Sequence, residues 1–366
     1  MKKIFTVLTS IALTFALSFS AAFANDDALI KSQNYLKTIT LDSPDAVIAY
    51  EATGMEADYK ADALLNNFKE TDYVTASYGD LAKSIIAISL LGENPKDFNK
   101  TNLVEILENR VQEDGTLTND VNGGCGATIW TLMALETVNS PKVKAVADKL
   151  STMAMENGAY WYEYQGPNAD LDTTGWAMEA LSVAGRSTYK AAISKAYTFV
   201  QSKLNSTDGY YDNWGGNADT QSCVLEGLSV AGYTLDTNAY NYLLSYQNED
   251  GTFNALNYST SQLEPNAYAS VEGARALGVI NNGSFVLRAR TTTPVVTEPE
   301  TPTKPSTPTT PGTTTPAVKP ETTTTEPKKE TVKVVNTGDN TNVMAYVVAA
   351  IAAVGVIVLV IKSKKK

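Results

Sequence analysis

Three features of the chain predict an all-α fold in which six inner helices are ringed by six outer ones, an α/α toroid. A segment recurs at a spacing of 46 or 47 residues. Each later copy is preceded by a second helical segment and a glycine turn. The second segment of each pair is rich in alanine, leucine and small residues on several faces, as a helix buried all round requires.

The N-terminal element is separate from this domain. Residues 1–24 have a basic start (Lys2, Lys3), an apolar run and the small-residue ending Ala22-Phe23-Ala24. This is the layout of a secretory signal peptide, cleaved before Asn25. The repeats fill 25–290. DLDTTGWAMEALSVAG (170–185) and NADTQSCVLEGLSVAG (217–232) are the clearest pair. SIIAISLLG (84–92), WTLMALETVN (130–139) and ASVEGARALG (269–278) are weaker copies, and DAVIAYEATG (45–54) is a sixth. Partner segments at 103–117, 143–161, 192–211 and 239–253 carry apolar residues at three- and four-residue intervals, the pattern of one-sided packing. Ser43-Pro44 and Ser140-Pro141 read as helix starts, and Asp-Gly or Asn-Gly as the breaks. An open array of helix pairs is the alternative to a closed ring, but it calls for polar capping repeats.

Nine of the fourteen prolines fall in 291–333, among threonines. Such a stretch buries no core and reads as an extended stalk with a reach of about 130 Å. Val343–Ile361 is nineteen residues without a charge, followed by the basic tail 362–366. As a helix it measures about 28 Å, the thickness of a bilayer core, with the lysines in the cytoplasm. The stretch 334–338, with Thr337-Gly338 at its end, followed by an apolar span and basic tail, resembles the sorting signal through which sortases attach Gram-positive surface proteins to the wall. Val335 stands where that pattern has proline, so wall transfer through Thr337 and retention by the membrane helix both stay open. Either one places the domain on the extracellular face of the cell.

Composition narrows the function. Residues 25–290 carry 18 Lys+Arg against 34 Asp+Glu, a formal charge of −16, which argues against a nucleic-acid partner. The absence of histidine removes imidazole bases, His-containing triads and the usual His-containing zinc sites, so no metal and no cofactor are expected. Two cysteines in an exported chain permit one disulfide, Cys125–Cys223; two buried thiols are the alternative.

The turn Gln247–Phe253 (QNEDGTF) and the DxDTT…AL helix start resemble the repeat shared by squalene cyclases and protein prenyltransferase β subunits. The α-domain of the cobalamin carriers, transcobalamin and intrinsic factor, is similar, most of all at 171–177. The likeness spans roughly 40–280 and implies the α/α-toroid fold, which hosts unrelated functions. Asp170-Leu171-Asp172-Thr173 resembles the acid motif of class II terpene cyclases. Asp172 falls on the proton donor, but Thr173 replaces the final aspartate. The structural alternative makes Asp172 and Asp219 helix N-caps. Prenyltransferase chemistry is excluded with the missing histidine ligand. Gly124-Cys125-Gly126-Ala127-Thr128 is similar to the thioester of complement-type toroids, but Thr128 stands where glutamine is needed.

The loops before the later inner helices crowd aromatics: Tyr160, Trp161, Tyr162 and Tyr164 in 158–172, and Tyr210, Tyr211 and Trp214 in 209–220, with 254–268 continuing the theme. In a closed ring they would gather at one mouth, with Asp170, Asp172 and Asp219. Flat apolar faces with polar tips suit a glycan, a corrinoid or a protein segment; packing over helix ends is the other reading. Glu179, Glu226 and Glu272 sit at equivalent positions of successive inner helices and predict a polar pocket floor, or internal pairing with Arg275. The expectation is a non-catalytic, ligand-binding surface protein. An enzyme using Asp172 or the inner glutamates is the alternative.

Overall fold

The structure, a computed structural model, describes residues 26–56, 66, 71–120, 123–162, 166–211 and 216–292. The signal segment, the stalk from 293 on, the sorting motif with Thr337 and Gly338, and the 343–361 span lie outside the described residues. So do Tyr164 and Trp214. No helix of the described residues is long and apolar enough to cross a membrane.

The described chain is mostly helical. In order it forms α1 (Asp26–Thr38), α2 (Pro44–Ala52), α3 (Tyr78–Leu90), α4 (Leu103–Glu108), α5 (Gly126–Thr137), α6 (Val143–Met153), α7 (Leu171–Gly185) and α8 (Lys190–Ser202). A small ribbon follows, β1 (Leu204–Asn205) with β2 (Gly209–Tyr210), then α9 (Ala218–Ala231) and α10 (Thr237–Ser245). A hairpin, β3 (Phe253–Asn257) with β4 (Gln262–Asn266), leads into α11 (Ala267–Asn282) and α12 (Phe285–Thr292). The hairpin pairs antiparallel from Phe253↔Asn266 to Asn257↔Gln262.

Six helices pack in a closed circuit: α2 on α3, α3 on α5, α5 on α7, α7 on α9, α9 on α11, and α11 back on α2. They are the six repeat segments. Every residue of α5 is buried, and the runs 46–52 and 173–182 are buried throughout α2 and α7. Such helices are insulated from water on all sides, which is why their sequences lack a polar face. The helices α1, α4, α6, α8 and α10 pack outside them and are half-buried, with apolar stripes such as Val146, Ala147 and Leu150 facing inward. Residues 57–70, before α3, lie outside the described residues apart from Asn66.

Two devices hold the circuit together. Where the last repeat meets the first, the Gln247 side-chain amide donates to Ala28 O (2.9 Å) and Ser32 Oγ (3.0 Å). Gly251, at φ +86°, lies so close to Lys31 O that a Cβ would sit 2.0 Å from it. Between α7 and α9 the backbones touch: a Cβ on Gly227 would meet Gly175 O at 2.1 Å. Only glycine permits either approach.

Of the two helix starts read from Ser-Pro pairs, one holds and one departs from expectation. Ser43 caps α2, accepting from Ala46 N–H with Pro44 at the first position. Ser140, by contrast, accepts from Lys142 N–H in a turn ahead of α6, which starts at Val143. The helix α12 and the β3–β4 hairpin were not anticipated. Gly283 ends α11 at φ +85°, and Phe285, Val286 and Ala289 then bury one side of α12 against α2, α3 and α5. This helix closes the C-terminal end of the circuit. Phe285 stacks on Trp130 (centroids 6.5 Å apart), Arg288 pairs with Glu51 (3.2 Å) and Arg290 with Glu136.

Candidate functional site at the N-terminal mouth of the helix circuit

At the other end, the first turns of α7 and α9 frame a cavity of about 360 Å³. The expectation that Asp172 and Asp219 are N-caps is corrected here. Asp170 caps α7, accepting from Thr173 N–H at 2.7 Å, and Asn217 caps α9, accepting from Thr220 N–H at 2.8 Å. Each string offers two cap-forming residues two positions apart, and the earlier one takes the extended conformation a cap requires. Asp172 and Asp219 are therefore the second residues of their helices. Both line the cavity with Asp170, Asn217 and Thr220.

The far wall comes from the last repeat. Tyr246 stands at the end of α10, and Ala255, Leu256, Tyr258 and Leu263 are carried by the hairpin. Tyr246 is held by hydrogen bonds to Tyr242 (2.9 Å) and to Gly216 O (2.9 Å). Leu256, Tyr258 and Leu263 are exposed, an apolar edge left facing the cavity and solvent.

Electrostatics set this mouth apart. Asp172 and Asp219 are half-buried as residues, yet the Oδ1 atom of each is enclosed and has no hydrogen-bond partner. Burial, and then the neighbouring Asp170, push the Asp172 carboxyl well above the usual range; a hydrogen bond from Thr220 offsets this in part. Burial and the nearby Glu272 push Asp219 up to about 7, with Arg275 opposing. No lysine or arginine is among the lining residues.

The inner glutamates lie beneath the pocket rather than on its wall. Arg275 Nε donates to both oxygens of Glu226 (3.1 and 3.0 Å), and its terminal nitrogens form a fork with Glu272 (3.1 and 3.2 Å). Burial works against the charge on Arg275, but the two glutamates outweigh it and raise its pKa. Glu179 accepts from Ser284 Oγ at 3.1 Å; burial and the adjacent Glu226 raise its pKa, as for a neutral acid hydrogen-bonded to a carboxylate. Internal pairing with Arg275 thus describes Glu226 and Glu272, and a water-facing floor describes none of the three.

The aromatic residues divide similarly. Tyr160 and Tyr210 are fully buried, not at a rim. Their turns are bonded to the fourth residue of the next inner helix: Tyr160 N–H to Thr174 Oγ1 (2.9 Å), Tyr210 N–H to Gln221 Oε1 (2.8 Å). Phe253 N–H to Ser270 Oγ (2.8 Å) repeats the arrangement. These aromatics wedge between inner and outer helices. Trp161 and Tyr162 pack half-buried against the core, and Tyr211 is exposed; none lines the cavity. Sequence reading missed Tyr246 as a pocket residue, because nothing local separates it from the packing tyrosines of α10.

Cys125 and Cys223 are both buried and not bonded to each other. Cys125 is the N-cap of α5 and Cys223 lies in α9, with α7 between, and two helix-to-helix steps of ~8–10 Å exceed the reach of a disulfide. Cys223 Sγ donates instead to Glu272 (3.1 Å), and burial, then Glu272, raise its thiol pKa. Among the described residues no group of three or more acidic or cysteine side chains is arranged to hold a metal.

No family model matches the chain, and no curated protein matches it.

Proposed function

We propose that residues 25–292 form an α/α toroid of six inner and six outer helices, related to the cyclase, prenyltransferase and cobalamin-carrier repeat. In this reading it is displayed on the extracellular face of a Gram-positive-type cell by the Thr/Pro-rich stalk, the 343–361 membrane span and the sorting-like motif, and it binds a ligand without transforming it. The closed circuit of six helices and the outer layer support the toroid. One observation carries the binding site: a cavity at the N-terminal mouth lined by two carboxyl groups, each with one enclosed oxygen lacking a partner, opposite tyrosine and leucine side chains. Burying a polar atom without a partner is costly, and proteins retain that cost where a ligand supplies the partner. The cavity volume is that of a small-molecule pocket. A glycan unit fits that size; a corrinoid or protein segment would engage it through a projecting group.

A second reading makes Asp172 an acid catalyst. Its raised pKa favours a proton available at neutral pH. Against it, Glu179, Glu226 and Glu272 are held beneath the pocket, Asp170 is committed to capping α7, and Asp219 is itself raised to about 7. The test is a screen of corrinoids, glycans and host proteins against the full-length protein in detergent, with product analysis and the Asp172→Asn variant. Binding without turnover, weakened in the variant, supports the receptor reading. A product that disappears with Asp172→Asn establishes the enzyme instead.

A further inference from the structure

The mouth cavity has an acidic lining that no basic side chain among the described lining residues neutralises. Asp170, Asp172 and Asp219 converge on it, and no basic side chain lines it. Arg275, the cation beneath, is wholly buried and committed to Glu226 and Glu272. Of the three aspartates, Asp170 has donors in Thr173 N–H and Thr173 Oγ1. Asp172 and Asp219 each retain an enclosed oxygen without one. The opposite wall offers Tyr246, Tyr258 and leucine side chains, which suit a cation's positive edge and its hydrocarbon body. The three carboxyl groups are not grouped to share a metal ion.

We infer that the cavity between α7, α9 and the β3–β4 hairpin is a receptor site for an organic cation, a protonated amine on a compact apolar or aromatic body. The ammonium sits between the Asp172 and Asp219 carboxyl groups that line the cavity. The body lies against Tyr246, Leu256 and Leu263. Neutral polar ligands satisfy the hydrogen bonds but leave charge and desolvation uncompensated, and anions are repelled. Raised carboxyl pKa values in the empty site accord with this, because a bound cation favours the ionised forms. The inference rests on the mouth cavity being the binding site and names the ligand class it takes.

The experiment measures binding of benzylammonium, benzyl alcohol and benzoate to the full-length protein in detergent by calorimetry, at low and high salt. Benzylammonium should bind at least about tenfold more tightly than benzyl alcohol, benzoate should not bind, and salt should weaken the ammonium alone. The Asp172→Asn/Asp219→Asn double variant should lose about tenfold or more in ammonium affinity while keeping its helical circular dichroism. If that variant does not fold, Asp219→Asn alone should still weaken the ammonium measurably. Equal affinity for alcohol and ammonium, or unchanged affinity in a folded variant, overturns the inference and leaves the pocket reading intact. Absence of ammonium binding also overturns it, and the pocket reading falls with it only if the broader ligand screen is negative too.

Discussion

The two ends of the helix circuit are built from the same repeats and carry acidic side chains in comparable numbers, yet they have been finished differently. At the C-terminal end Glu51 meets Arg288 and Glu136 meets Arg290, while Glu179 has Ser284 on one oxygen and keeps the other enclosed. At the N-terminal end Asp172 and Asp219 each keep an enclosed oxygen that no described side chain satisfies. Between the ends lies the Glu226–Arg275–Glu272 cluster, fully buried and closed on itself. The contrast teaches that acidity alone does not mark a site. What distinguishes the two ends is the supply of counter-charge: Arg288 and Arg290 stand at the closed end, and no basic side chain is among the described residues lining the mouth.

The strongest way to break this comparison is to remove the central cation. Arg275→Met leaves Glu226 and Glu272 buried without their partner, and should cost about 3–5 kcal/mol in chemical denaturation. A loss below about 1 kcal/mol would mean the glutamates are not held as an ionic cluster. Next in size, Phe285→Ala removes the aromatic that seals the closed end against Trp130 and should cost about 3 kcal/mol. Ligand binding at the mouth should survive it, because α12 contributes nothing to that cavity's wall.

A smaller effect tests the open end directly. Asp219 is raised to about 7 in the folded chain, against an unfolded carboxyl near 3.9. A raised folded value means stability is fully present below about pH 4 and is lost as pH rises through about 7. Asp219→Asn removes that loss, so the melting temperature of the variant relative to the parent should climb between pH 5 and pH 8. The groups bearing on Asp219 are Asp172 from α7 and Glu272 and Arg275 from α11. A difference that stays flat with pH would place Asp219 in water. Smallest is Arg290→Gln at the closed end: Arg290 is 41% exposed, so its pair with Glu136 should contribute about 1 kcal/mol or less.

Much of the fold was legible because its signals are periodic. The 46–47-residue spacing located five helices of the circuit and the likeness of 45–54 to them located the sixth, while their all-round apolar character distinguished them from the half-buried outer ones. The hairpin and α12 escaped because each occurs once: a repeat-based reading has no second copy of FVLRAR or of NALNYSTSQLEPN to compare. At the site, Asp172 and Asp219 were found, but their role was misassigned by two residues, since Asp170 and Asn217 carry cap-forming side chains as well. Tyr160 and Tyr210 were placed at a rim because aromatic loops serve packing and recognition alike. The deciding contacts, with Thr174 and Gln221, are long-range. The glutamates' pairing was readable only as an alternative, because Arg275 reaches Glu226 across two helices.

The plug helix has a mechanical consequence. The chain runs on from α12 toward its C-terminus, so any tension drawn from that side reaches Phe285–Thr292 first. Its anchors, Glu51, Trp130 with Glu136, and Glu179, belong to three different members of the circuit. A pull is therefore shared among α2, α5 and α7 at once instead of peeling one helix free.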